Sequence, residues 1–272
     1  MHLGSVKHPS EANTILDQSG ALRLEAHACY RALVENSNHE TSEIGFGGRL
    51  LYAGALEGLG CAMMVAGNVA GCATLAVTAD EAVQKRAIRD GVADFLVTSL
   101  DEALRILKNE IRKHKSVSVC IGTDRGTVEQ EMMKRGVLPD LVFADDSTTL
   151  PLVSRFGEDV REIRMSKPKP TEAFIKWQVA QSPAQWMPKL DAIALDCLAD
   201  EPWTQRWIRV SSRYLGRATL AERAFHCEAQ AAMRILREFD AAAQEGAIAT
   251  EVAVNIMDEG ESKVFRLRPP AI

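Results

Sequence analysis

Arg49-Leu50-Leu51-Tyr52-Ala53-Gly54-Ala55-Leu56-Glu57-Gly58-Leu59-Gly60 opens the stretch that decides the fold, and Ala73-Thr74-Leu75-Ala76-Val77-Thr78-Ala79-Asp80 closes it. A short apolar strand enters a glycine-punctuated turn, a run of small residues from Cys61 to Gly71 reads as a helix, and a second β-prone strand ends on a polar tip. That is the βαβ order of a dinucleotide-binding unit. Glycine suits such a turn because backbone must approach a diphosphate closely, where the first amides of a helix point outward without partners. The spacing is Gly-x3-Gly-x-Gly. The alternative is a tight strand-to-helix turn with no nucleotide, and Glu57 repels a diphosphate unless it turns outward.

Working outward, strands are expected at Leu50, Leu75, Phe95, Val117 and Leu141, with helices between them. The fold class is therefore α/β, a doubly wound, mostly parallel Rossmann-like sheet. Residues 45–150 form the dinucleotide-binding domain. Residues 1–44 plus 151–272 form a second, mainly helical core domain ending in a strand pair about Glu259-Gly260. In the second part helices are expected over 171–181, 184–198 and 202–215. A single long one should open at a Thr219-Leu220-Ala221-Glu222 capping box and end at Gly246, burying Leu220, Ala224, Cys227, Ala231, Ile235 and Phe239.

Ligands of such sheets lie beyond the carboxyl ends of the strands. The candidate cofactor-binding residues are Gly54, Gly58, Gly60, Thr78, Asp80, Gly122 and Asp124. For Asp80 and Asp101 the competing reading is a helix cap. His27 and His39 read as surface decoration.

A formal net charge of -5 leaves no basic field for nucleic acid. The apolar passage from Cys61 to Val77 is interrupted by Gly67, Asn68, Gly71 and Thr74, so no membrane span is expected. The first residues carry no export signal, and Cys29, Cys61, Cys72, Cys120, Cys197 and Cys227 show neither a Cys-x-x-Cys pair nor metal spacing. The expectation is a cytoplasmic protein with free thiols and no metal.

Gly48-Arg49-Leu50-Leu51-Tyr52-Ala53-Gly54 resembles the cofactor domain of the urocanase (urocanate hydratase) family, whose line is Gly-Arg-Leu-Val-Leu-Thr-Ala-Gly. Leu100-Asp101-Glu102-Ala103-Leu104, Arg135-Gly136-Val137-Leu138-Pro139-Asp140-Leu141-Val142 and the residues Asp145 to Thr148 are similar in the same order, and Arg206-Trp207-Ile208 matches a later motif. The resemblance implies a shortened and diverged relative. It also implies a bound NAD acting as an electrophile, hydro-lyase chemistry on a small unsaturated ring or acid, and a homodimer.

The candidate catalytic residues are Asp145, Asp146, Arg223 and His226. This sequence departs from the family in two places that matter. Phe225 stands at the reactive cysteine, which removes urocanate hydration by the family's route. Thr78 stands at the acidic residue that holds the ribose, which brings NADP in beside NAD through Lys85 or Arg86. The alternative is a non-catalytic dimeric ligand-binding or scaffold protein on the same fold.

Overall fold

The computed structural model describes residues 11–36, 45–144, 154, 156–157, 160–165, 167–258 and 260–270. All five expected strands form: β1 (Leu50–Ala55), β2 (Ala73–Val77), β3 (Phe95–Val97), β4 (Val117–Ile121) and β5 (Leu141–Phe143). A sixth, β6 (Arg161–Ile163), joins them from beyond residue 150. The order is β3-β4-β2-β1-β5-β6, and every pairing is parallel. The strands β1, β2, β4 and β5 are buried almost throughout, as a sheet covered on both faces requires.

Helix α2 (Leu59–Ala70) packs on one face of this sheet. The side chains of α4 (Leu100–Arg112) and α5 (Arg125–Arg135) cover the other, where Leu100, Ala103, Leu107, Val128 and Met132 meet Tyr52, Leu75 and Val119. Ser99 caps α4 through its hydroxyl, and Asp101, one candidate cap, instead pairs with Arg135 at 2.5 Å. Helix α3 (Glu81–Arg89) follows β2.

The turn of the chain into its second part brings the corrections. Residues 171–181 do not form a helix; β7 (Glu172–Val179) runs there instead. Ala173, Ile175, Trp177 and Val179 are buried while their neighbours are not, a period of two that only a strand sets on one face. The expected long helix from Thr219 is likewise two elements. After a 3-10 turn (Gly216–Thr219), β8 (Glu222–Glu228) pairs antiparallel with β7, and only then does α8 (Ala229–Gln244) begin. Ala231, Ile235 and Phe239 remain a helical stripe, but Leu220 is 62% exposed.

Between these strands lie α6 (Pro183–Cys197) and α7 (Pro202–Leu215), close to expectation. The strand pair is present as β9 (Val252–Asp258) and β10 (Glu261–Leu267), giving a second sheet in the order β10-β9-β7-β8. Its core centres on Trp177, fully buried, with Phe225 and Phe239 edge-on at 5.5 and 5.3 Å. Such crossings of ring edge and face are favourable beyond their area.

Helix α1 (Glu11–Glu35) joins the two parts. It packs along α2 and carries Arg23 to Glu222 at 2.7 Å and Arg31 to Glu172 at 2.5 Å, both in the second sheet. Arg206 of α7 completes the joint: its Nε donates to the Val69 carbonyl at 2.7 Å, at the end of α2. A cation on a helix's last carbonyls suits the negative end of the dipole. Trp207 stacks edge-on to His27 at 4.8 Å. The Arg206-Trp207-Ile208 motif is thus a packing device between the two parts.

Candidate functional site

The turn after β1 is partly closed by its own backbone. The Leu56 amide continues the ladder to Val77 O at 2.8 Å, and the Gly60 amide returns to Glu57 O at 2.9 Å. A Cβ on Gly60 would lie 1.8 Å from the Ala55 carbonyl oxygen, so only glycine fits there. Gly58 is the N-cap of α2 at φ 51° and ψ -122°, a backbone region that side chains other than glycine's avoid. It is exposed, and nothing stands within 4 Å of where its Cβ would be. Glu57 is exposed beside it. The amides of Glu57 and Gly58 have no acceptor in the described chain.

Gly58 and Glu57 face a groove of about 660 Å³ whose opposite wall is α3. Leu22, Leu56, Val83 and Ala87 give it an apolar floor, and the Arg86 guanidinium stands on its rim. Lys85, the other candidate cation, is held by Glu81 at 3.1 Å. The Cys61 thiol also lines the groove, its pKa raised by burial.

Below the turn lies a group that sequence reading missed. The Arg125 guanidinium sits 3.5 Å from the Cβ position of Gly54, in a β-bulge at φ 76°. Arg125 pairs with Glu129 at 2.6 Å, and Glu129 accepts from Tyr52 Oη at 3.2 Å. Glu129 is 1% exposed, and burial together with that carboxylate pushes the Tyr52 phenol upward. An i,i+4 pair is a readable helix signal. Arg125 is the first residue of α5, directly after the Asp124 cap.

The remaining candidates are placed as follows. Asp80 caps α3, accepting from the Ala82 amide at 2.7 Å. Asp124 caps α5, accepting from the Thr127 amide at 3.0 Å and from its hydroxyl, which holds the Asp124 carboxyl below its usual range. The Thr78 hydroxyl is buried and accepts from the Asp80 amide at 3.2 Å. Gln84 donates to the Thr78 carbonyl at 2.9 Å and lies 3.2 Å from the Cβ position of Gly122, so its amide covers the ends of β2 and β4. Asp145 and Asp146 lie outside the described residues.

Arg223 and His226 are three residues apart on a strand and therefore look in opposite directions. Arg223, 9% exposed, pairs with Asp191 of α6 at 2.7 Å. Burial raises the Asp191 carboxyl and outweighs the opposing pull of Arg223. His226 stacks on His27 at 5.7 Å, and its outward-facing amide approaches His27 Nδ1 at 3.4 Å, where β8 is an edge strand.

His27 is 3% exposed and so belongs to the core, not to the surface. Burial, then His226 and then Arg31, hold the His27 imidazole well below its ordinary value. Phe225 is fully buried against Trp177, and Cys227, two residues on, shares its side of the strand. The helical wheel that would set these two about 200° apart does not apply to a strand.

A parallel sheet wound on both faces, with a glycine turn leading from its first strand into a helix, defines a Rossmann-like α/β protein. Residues 26–155 match the model of the urocanase Rossmann-like domain, and over that stretch the chain is similar to that domain. No described helix is long and apolar enough to cross a membrane, and no described cluster of His, Cys, Asp and Glu could hold a metal ion.

Proposed function

We propose that this protein binds a nicotinamide nucleotide at the 54–60 turn and does not hydrate urocanate. The observation that carries the reading is the pair of acceptor-free amides at Glu57 and Gly58, open to a groove whose far wall presents Arg86. Two backbone donors and the positive end of α2 suit a diphosphate.

The fit differs along the ligand. The diphosphate matches the turn, but Thr78 offers the ribose no carboxylate and its hydroxyl is already engaged. A guanidinium at Arg86 suits a 2'-phosphate better than a 2'-hydroxyl, so NADP is the favoured form and NAD the weaker one. When bound, the nicotinamide ring supplies an electrophilic carbon. The chain's own residues hold the diphosphate, offer counter-charge at Arg86 and seat the less polar end against Leu22, Leu56 and Val83.

Catalysis by the family's route has no support in the second part of the molecule. Phe225 is core, and Arg223 and His226 face opposite sides of β8. A hydro-lyase acting on another unsaturated acid would have to draw on Asp145 and Asp146. Calorimetric titration with NADP and NAD tests the proposal. NADP should bind roughly tenfold more tightly, as one charge-assisted contact predicts, and Arg86→Ala should erase the difference. Absence of binding by both at millimolar concentration would sink the nucleotide reading.

A further inference from the structure

A second cleft, of about 950 Å³, runs along the exposed side of α4 to the edge strand β3 and the end of α7. Because β1 and β3 run parallel, Phe95 at the start of β3 lies at the end of the sheet opposite the 54–60 turn. The cleft presents three guanidiniums, those of Arg105, Arg112 and Arg213. Among the described residues none of the three makes an ion pair or hydrogen bond.

Two of the cleft's three carboxylates are already engaged. Asp94 accepts from the Ser118 amide and hydroxyl at 2.8 and 2.9 Å, and Glu110 is held by Lys113 at 2.7 Å. Asp94, bonded to neutral donors, and Glu102 keep their charges against three cations. Phe95, 46% exposed, supplies a flat apolar surface, and Ser116 Oγ with Tyr214 Oη, 2.9 Å apart, offer hydroxyls nearby.

Guanidiniums without a carboxylate partner fit phosphate oxygens, that of Arg213 being held over the Tyr214 ring at 5.5 Å, and an exposed ring beside them gives a planar group a face to stack on. We propose that this cleft is a binding site for a small phosphorylated molecule bearing a flat ring, separate from the 54–60 turn.

The test uses the full-length chain with phenyl phosphate as probe, and inorganic phosphate and phenol as its two halves, titrated by calorimetry at low salt. Phenyl phosphate should bind more tightly than either half, and more weakly as salt is raised. Arg105→Ala and Arg213→Ala should each weaken it roughly tenfold, the loss of one charge-assisted contact. Phe95→Ala should reduce it to the level of inorganic phosphate. All three side chains are exposed, and circular dichroism confirms that the variants fold.

Binding no tighter than that of inorganic phosphate, indifference to the three substitutions, or loss of binding in Arg86→Ala would each overturn the proposal. Arg86→Ala should leave phenyl phosphate binding unchanged. Failure at this cleft is therefore distinguishable from failure at the turn.

Discussion

At the scale of single residues, Gly60 and Gly58 do different work within one turn. Gly60 is required by contact, since an added methyl would meet the Ala55 carbonyl at 1.8 Å. Gly58 is required by conformation alone, with open space around it. Gly60→Ala should therefore cost about 3 kcal/mol, at the upper end of overpacking effects, and displace the turn. Gly58→Ala should cost about 1–3 kcal/mol of backbone strain. Urea denaturation of the two variants separates them, and an equal, small loss in both would contradict this account.

His27 and His226 make a second residue-scale prediction. Both have folded pKa values below the ordinary 6.5, His226 at about 4, because burial disfavours their charged forms and Arg31 repels them. The unfolded chain then binds more protons than the folded one between pH 6.5 and about 4. The sign follows: their contribution is fully present above pH 6.5 and is lost as pH falls through that window. Unfolding midpoints measured at pH 7, 6 and 5 should fall, and His27→Gln should flatten the decline. A midpoint independent of pH would refute the assignment.

At the scale of elements, β8 carries the proposal that this protein does not hydrate urocanate. Its alternation sends Arg223, Phe225 and Cys227 to one side and His226 to the other, and Phe225 seals the core against Trp177. Restoring the family's residue should consequently fail. Phe225→Cys should lose about 2–4 kcal/mol, the usual cost of emptying a large core site. It should gain no urocanate hydration, and native-state thiol titration should find the new sulfur unreactive. Measurable hydration by this variant would show that the strand opens toward a substrate.

The same element marks where sequence reading stopped. The parallel sheet was legible because glycines, caps and apolar runs recur at each strand end, from Asp80 and Asp124 to Gly136. In the second part, Glu172–Val179 alternates as a strand does. The helix-favouring residues around it masked that period, and the apparent capping box at Thr219 pointed to a helix that begins only after Glu228. Of the candidate site, the turn could be read, since its glycines are local. The Arg125–Glu129 pair has a countable i,i+4 spacing, but its meeting with Tyr52 and Gly54, like the cover that Gln84 gives Gly122, joins separate strand ends and leaves no spacing to count.

At the scale of the whole molecule, the two apolar cores are unlike in reach. One is local, confined between the parallel sheet and α4 and α5. The other runs without interruption from Leu51 and Phe143 through α2 and α1 to Trp177, Phe239 and Val254 of the second part. Helix α2 is buried at ten of its twelve positions, and its covering surface is supplied by α1 and α7.

Cutting the chain to residues 45–150 would strip that cover and remove the edge strand β6, while leaving β1 to β5. Met63, Met64, Val65 and Ala66 are all fully buried in the whole chain, so much of their apolar surface would then meet water at roughly 25 cal/mol for each Å². A domain of that size holds only about 5–15 kcal/mol in total. The fragment should therefore bind a hydrophobic dye, unfold without a sharp transition and fail to bind NADP, whereas residues 11–270 should unfold cooperatively. A fragment with a sharp melting transition would mean that the Rossmann-like unit folds alone and that α1 and α7 merely lean on it.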